Sequence, residues 1–291
     1  MLTVITPVYN RENKLVNAYN SLLSQTNHDF EWIIVDDGST DNSLDIARSF
    51  ETELFNIKVL SKKNGGKHTA INYAINYIRG DYVLILDSDD ELTADAVDTI
   101  YTEWAKHYDE PRIGLLIFLR GIDIDHPLCT VDQYNVPVDF MLCKRNHLIS
   151  RDCCEVLRTN VLTKFHFPEF ENEKFIGESA LWNRISFHYK CVYKEKIIYL
   201  CQYQSDGLTN AGRKMRLKNP NGGMYVANLE MDKKNNLLKR LKFGVLYTCY
   251  GKFAHKTLKE MKNGNSNKLL FWITYPIGLI AFLYWRKKYN E

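Results

Sequence analysis

The chain has 291 residues, 45% hydrophobic and 25% charged, which excludes a disordered or collagen-like polymer and suits one domain of about 200 residues plus an appended segment. Its seven cysteines are an odd number, with no C-x-x-C pair and no Cys/His cluster at zinc spacing, so reduced thiols in a cytosolic protein are expected. The net charge of +3 hides an asymmetry: residues 1–212 carry −10 and residues 213–291 carry +13, which calls for an anionic partner at the C-terminal end, a membrane surface or a nucleic acid.

The N-terminus runs straight into a strand-like sequence with no basic n-region, so no signal peptide is expected. Leu2–Val8 predicts a strand, and Lys14–Ser24 a helix with Leu15, Ala18, Leu22 and Leu23 on one face. A second strand, Glu31–Val35, runs into Asp36-Asp37-Gly38-Ser39-Thr40-Asp41, a turn that also caps a helix over Ser43–Glu51. Ile57–Leu60, Lys67–Ile78 and Tyr82–Leu86 follow as strand, helix and strand. Near-continuous apolar strands separated by helices predict a parallel sheet covered on both faces. Such sheets bind ligands beyond the carboxyl ends of their strands, where the polar clusters of this chain fall.

From Pro111 the pattern changes. Ile113–Leu119, Cys153–Leu157 and Val192–Leu200 read as strands joined by loops rich in Asp, His and Pro, and Glu178–His188 as a helix. Asn219–Gly223 reads as a Gly/Asn/Pro hinge. Cys153 and Cys154 read as core thiols, since neighbouring strand residues point to opposite faces.

Three groups of carboxylates stand at or near predicted element ends: Asp36-Asp37, Asp87-Ser88-Asp89-Asp90, and Glu178. A hard divalent cation takes oxygen ligands, and a D-x-D triplet after a buried strand sends alternate carboxylates toward one crevice. The same acids serve equally as helix caps and solvated turn residues; Asp123-Ile124-Asp125 is read as such a surface turn. Asn64-Gly65-Gly66-Lys67-His68 precedes a helix and offers backbone amides and a lysine to a diphosphate, although Ser61 stands where a Walker A loop needs its first glycine.

Five collinear motifs, Thr6-Pro7-Val8-Tyr9-Asn10, Ser24-Gln25-Thr26, Glu31 through Asp41, Asn64-Gly65-Gly66-Lys67 and Leu86-Asp87-Ser88-Asp89-Asp90-Glu91, together resemble a family-2 glycosyltransferase of bacterial capsule, exopolysaccharide or O-antigen type. Downstream, Glu171 through Arg184 resembles the family's acidic motif ahead of an L-W-x-R helix, and Tyr203 through Thr209 the segment that closes the donor site. The resemblance implies an α/β GT-A fold, with a Rossmann-like, nucleotide-sugar-binding mixed sheet and a C-terminal helical, membrane-associating extension. It implies a catalytic domain over residues 1–212, comprising a nucleotide-sugar half (1–110) and an acceptor half (111–212), and an attachment segment over 213–291.

Residue by residue, the resemblance puts Pro7, Val8 and Tyr9 along the nucleotide, Asp37 on the uracil N–H with Asp36 nearby, and Gly66 and Lys67 close to the nucleotide. Asp87 and Ser88 would lie on the ribose side and Asp89 would ligate Mn²⁺ or Mg²⁺, with Asp90 as an alternative ligand. Glu178 would be the general base of an inverting transfer from a UDP-sugar. Many relatives carry Glu-Asp there and use the Asp; Ser179 holds that place here, which leaves Glu173 and Glu171 as reserves. Trp182 and Arg184 read as helix packing or as acceptor contacts.

Leu269–Trp285 is a run of 17 residues without a charge. As a helix it would be about 26 Å long, short of the ~30 Å hydrocarbon core, and Pro276 and Gly278 would kink it. Trp272, Tyr275, Tyr284 and Trp285 supply interfacial aromatics and Arg286-Lys287-Lys288 follows at once. The expected attachment is monotopic, interfacial or re-entrant, to the anionic cytoplasmic face of a bacterial plasma membrane, with a core helix docked on the catalytic domain and a single span as the alternatives, and it fits a polyprenyl-diphosphate-linked saccharide acceptor. No nucleic acid is expected, because the basic residues flank an apolar run. The competing classes are a nucleotidyltransferase, and a nucleic-acid- or membrane-binding module with a non-catalytic nucleotide-binding domain.

Overall fold

The computed structural model describes residues 1–143, 145–147, 153–201 and 208–289. The chain divides into two compact units, one of residues 1–166 and 185–203, the other of residues 167–184 and 204–291.

The first unit is built on one mixed sheet. Its leading strands β1 (Leu2–Val8), β2 (Phe30–Asp36), β3 (Asn56–Ser61) and β4 (Tyr82–Ile85) pair in parallel in the order β3-β2-β1-β4. Between them run α1 (Leu15–Leu23), α2 (Ser43–Ser49) and α3 (Lys67–Ala74). The last four residues of the predicted 67–78 helix depart from it: Ile75–Tyr77 tighten into a 3₁₀ turn and Ile78 is extended. All seven residues of β1 and of β2 are buried, as near-continuous apolar runs demand when both faces of a sheet are covered. Trp32, fully buried in β2, donates its indole N–H to Thr6 Oγ1 at 2.8 Å, so its one polar atom is satisfied.

Beyond β4 the sheet changes character. After the short β5 (Glu91–Leu92) and α4 (Ala96–Ala105) come β6 (Ile113–Gly121), β7 (Cys129–Val131), β8 (Pro137–Val138), β9 (Arg145–His147), β10 (Cys153–Arg158), the single-turn α5 (Thr159–Leu162) and the 11-residue β11 (Lys190–Leu200). The order continues β4-β10-β6-β11-β5, with β10 antiparallel to β4 and β6, and β11 parallel to β6. The sheet is therefore parallel in its first half and mixed as a whole. Cys153 and Cys154 are both buried, and Asp123–His126 is an exposed turn in which Asp123 Oδ1 accepts from the amides of Asp125 and His126.

The second unit is helical: α6 (Ser179–Ser186) starts in it, and α7 (Leu208–Lys218), α8 (Pro220–Glu230), α9 (Leu237–Phe253), α10 (Leu258–Gly264) and α11 (Lys268–Tyr289) make up the rest. Asn219–Gly223 is not a hinge but the start of α8. Buried Asn219 accepts from the amides of Lys174 (2.7 Å) and Phe175 (3.1 Å) and donates to the Met215 carbonyl (2.7 Å). Glu173 takes the first-turn amides of Asn221 (2.7 Å) and Gly222 (2.8 Å), as a carboxylate at a helix N-terminus should. Proline at the first helical position and glycine packed on the Phe175 carbonyl complete a cap, where local composition alone suggested a loop.

Pro276, expected to kink the last helix, does not end it. α11 continues for 22 residues with Pro276 inside it. It runs alongside α9 over small residues: a Cβ on Gly244 would stand 2.5 Å from Thr274 Oγ1, and one on Gly278 would meet Thr248 and stand 2.9 Å from the Val245 carbonyl.

Candidate active site

The parallel strands β1, β2 and β4 end side by side, and the polar motifs follow directly from their last residues. Pro7 and Val8 are buried, and Tyr9 is the surface that β1 offers, at 46% exposure. Asn10, in the left-handed region at φ 53°, ties this end to the next one: its Oδ1 accepts from the Thr40 amide at 2.8 Å, and its own amide donates to Ser39 Oγ at 3.0 Å.

Asp36 closes its own turn. Its carboxylate accepts from the Gly38 amide (3.2 Å), the Ser39 amide (3.2 Å) and Ser61 Oγ (3.2 Å) at the end of β3. Gly38 is required there: its φ is +72°, and a Cβ would stand 2.8 Å from the Asn64 nitrogen. Asp37, almost fully buried, reaches the glycine loop instead. Lys62 Nζ stands 2.7 Å from its Oδ1, the Gly65 amide donates to Oδ1 at 3.0 Å, and the Gly66 amide donates to Oδ2 at 2.6 Å. The loop amides that the sequence offers to a phosphate are thus engaged by Asp37. Two carboxylate oxygens have about four lone-pair sites, so Asp37 retains acceptor capacity on Oδ2.

The Asp87–Asp90 segment leaves β4 among cations. Lys67 Nζ, at the first residue of α3, lies 2.5 Å from Asp87 Oδ1, and Arg120 Nη1 lies 3.6 Å from Asp87 Oδ2 and 3.8 Å from Asp90 Oδ2. Arg120 comes from the end of β6; its guanidinium stacks 4.1 Å from the centre of the Tyr199 ring and its Nε donates to the Cys153 carbonyl at 3.0 Å. Tyr199, buried in β11, accepts the Asp87 amide on its hydroxyl at 2.9 Å. Burial alone would raise the Asp87 carboxyl, yet Lys67 and Arg120 hold it below the usual carboxylate range. For Asp90, burial dominates and the Asp87 charge adds to it; Arg120 offsets only part, and the carboxyl is pushed up to about 7. Ser88 is buried between them, whereas Asp89 keeps 19% of its side chain exposed, with Arg11 Nε at 3.7 Å.

Among the described residues no group of three or more His, Cys, Asp or Glu side chains is arranged to hold a metal on its own. A Mg²⁺-like ion does not require one, because it keeps waters and takes one or two carboxylates together with phosphate oxygens. Partly exposed Asp89, with a cation only at 3.7 Å, fits that demand better than Asp87 or buried Asp90.

Glu178 belongs to the other unit, immediately ahead of α6, where its carbonyl accepts from the Leu181 (2.9 Å) and Trp182 (3.2 Å) amides and its side chain is half-buried. Of the reserves, Glu173 is committed to the start of α8 and Glu171 is exposed. Trp182 is 5% exposed. Of the segment 203–209 noted in the sequence, residues 203–207 lie outside the described residues.

Arg120, Tyr199, Lys62 and Arg11 were not singled out in the sequence. Arg120 had a signal, being the sole charge in the nine-residue run Ile113–Gly121. A charge that closes an apolar strand has to be paired or solvated.

Acids, a lysine and a glycine loop gather at the carboxyl ends of parallel strands, the place where α/β sheets bind ligands. Residues 3–110 match the model of the family described as Glycosyl transferase family 2. Over 174 residues the chain is 37% identical to the chondroitin synthase of Pasteurella multocida (strain Pm70), covering 60% of this chain and 17% of that one. The fold is similar to S. aureus TarS 1–349 in complex with UDP-GlcNAc (TM-score 0.60, 20% identity, 97% of this chain and 80% of that one). It is similar also to the mannosyltransferase PcManGT from Pyrobaculum calidifontis in complex with GDP-Man and Mn²⁺ (TM-score 0.56, 14% identity, 98% and 82%). Over residues 3–110 the chain is thus similar to the family-2 glycosyltransferases, and its fold is that of the GT-A glycosyltransferase structures. It spans less than half the length of the curated relatives that it matches.

Proposed function

We propose that the protein transfers a sugar from a UDP-sugar to a saccharide acceptor, with inversion at the anomeric carbon, in the synthesis of a bacterial surface polysaccharide. The observation that carries the reading is the set of collinear motifs at the ends of β1, β2 and β4, within the region that matches the family. The likeness to a chondroitin synthase supports polysaccharide as the product class, and the UDP-GlcNAc held by TarS supports a UDP-sugar as the donor.

In this reading Pro7, Val8 and Tyr9 border the nucleotide, and Asp37 takes the base N–H on its remaining lone pair while Asp36 holds the turn. Gly66 and Lys67 stand near the nucleotide, with Asp87 and Ser88 on the ribose side. Lys67 has two anions to serve, since it pairs with Asp87 and lies next to the loop, so a bound diphosphate would share it. Asp89 would hold Mn²⁺ or Mg²⁺, which as a Lewis acid supplies stabilisation for the charge on the departing diphosphate. The Mn²⁺ in PcManGT supports a divalent ion of this kind.

Glu178 is assigned as general base. It removes the proton of the acceptor hydroxyl as the new glycosidic bond forms and the bond to the diphosphate breaks, a contribution of about 10²–10⁴ in rate. Attack from the face opposite the leaving group inverts the anomeric carbon. We assign catalysis to residues 1–212 and membrane attachment to residues 213–291, whose +13 charge suits the anionic cytoplasmic leaflet and a lipid-linked acceptor held there.

Thermal unfolding against UDP, GDP, CMP and their sugar conjugates, with and without Mn²⁺, tests the reading. A ligand at 100 times its Kd adds about 2.7 kcal/mol. A metal-dependent upward shift with UDP, absent with GDP and CMP, is expected. No shift with any nucleotide would overturn the donor assignment.

A further inference from the structure

α11 has two unlike faces. Leu270, Phe271, Thr274, Gly278 and Trp285 are buried, against α9 and its neighbours. Leu269, Trp272, Ile273, Ile277, Ile280 and Leu283 are exposed, Ile280 to 67% and Leu269 to 74%. At 100° per residue the exposed set falls within an arc of about 140°, opposite the buried one. An uncovered apolar stripe running the length of a 22-residue helix is more than scattered surface leucines and isoleucines account for.

Charge indicates what covers it. The stripe is free of ionisable cations and anions from Leu269 to Trp285, while Lys268 stands at one end and Arg286, Lys287 and Lys288 at the other. The seam with α9 limits how it can be covered. Gly244 meets Thr274 and Thr248 meets Gly278, so the two helices lie side by side in the same direction over close-packed small residues. α9 carries Lys239, Arg240, Lys242 and Lys252. Sending α11 through hydrocarbon would either draw those cations in with it or tear the seam apart. Lying flat, the pair keeps its cations at headgroup level and immerses only the stripe.

We propose that α11 is an in-plane interfacial helix that binds an anionic bilayer through its Leu269–Leu283 stripe, neither spanning nor re-entering it. The inference rests on the membrane-surface part of the proposed function and specifies the contact. Arg213 stacks over the buried Trp285 at 4.0 Å, which leaves Trp272, at 46% exposure, as the tryptophan poised to report on lipid. The other four tryptophans, Trp32, Trp104, Trp182 and Trp285, are all buried.

The test uses the full chain and vesicles of phosphatidylcholine with or without an equal part of phosphatidylglycerol. Expected are binding that requires phosphatidylglycerol and weakens with salt, and tryptophan quenching that is stronger from lipids brominated near the headgroup than from lipids brominated near the chain end. Ile273→Glu with Ile280→Glu should cut partitioning by at least about tenfold, because both side chains leave water on binding. Quenching strongest from the chain end would overturn the in-plane placement in favour of a span. Failure to bind vesicles, with self-association through the stripe detected by sedimentation, would assign the face to a second copy. The thermal shift with UDP is read in parallel on both proteins: its absence in the wild type would refute the donor assignment without touching the lipid result, and its retention in the double variant shows that the two substitutions leave the fold in place.

Discussion

Replacing Asp90 with Asn should make the protein more stable, and more so as the pH rises. The Asp90 carboxyl is raised from 3.8 to about 7 by burial first and then by the neighbouring Asp87 charge, against the pull of Arg120. In the unfolded chain it ionises near its ordinary value, so between about pH 4 and about pH 7 the folded state binds the extra proton. Stability contributed by this group is therefore largest at acid pH and falls as pH rises through that window. A difference of about 3 units at 1.36 kcal/mol each sets a ceiling of about 4 kcal/mol on the loss, and relaxation around Arg120 brings the expectation down to about 1–3 kcal/mol. Asn copies the shape and neutrality of the protonated acid and does not titrate. Urea unfolding of both proteins at a series of pH values, with chelator present to keep divalent ions out, measures the difference directly. The two stabilities should agree near pH 4 and diverge upward to a plateau above about pH 7. Parallel curves across the range would refute the burial argument. Asp87 does not confuse the result: its carboxyl is held low, so its contribution is present above its unfolded value and is lost only as pH falls below it.

Asp89→Ala and Glu178→Gln should each abolish sugar transfer in a radiolabelled-donor assay while leaving the unfolding curve in place; near-wild-type turnover of Glu178→Gln would remove that residue as the base. Arg120→Met should destabilise by about 3 kcal/mol, since it leaves buried Asp90 facing Asp87 without the shared cation, and Arg120→Met combined with Asp90→Asn should recover part of the loss. Gly278→Ala should cost about 1–3 kcal/mol by overpacking the Thr248 contact between α9 and α11, and an unfolding curve matching wild type would show that the two helices do not meet there.

The parallel half of the sheet is legible in the sequence because each of its parts is local. A buried parallel strand has to be apolar almost throughout, as Leu2–Val8 and Phe30–Asp36 are, and the polar residues that end it announce the site. Asp36 makes a turn with its own neighbours, and Gly38 is demanded by φ +72° within that turn. Asp87 and Asp89 follow β4 within four residues. Reading these positions needs only spacing and residue type.

Contacts made across the sheet are another matter. Arg120 and Tyr199 reach Asp87 from 33 and 112 positions away, and they do so only because β10 inserts antiparallel between β4 and β6 and brings β11 alongside. No periodicity in the chain encodes that order. Asn219–Gly223 has the composition of a loop, yet Glu173 and Asn219 make it a helix start by supplying hydrogen bonds from outside the segment. In the same way the apolar run Leu269–Trp285 shows its composition in the sequence but not its two faces. Which residues of a uniformly apolar helix stay uncovered is set by the partner that packs on the rest, and that partner, α9, is chosen by small residues 30 positions upstream. Local propensity and patterning were determined by the sequence alone; partnership between distant segments was decided by tertiary structure, because it depends on the free energy of the whole packing and not on that of any one stretch.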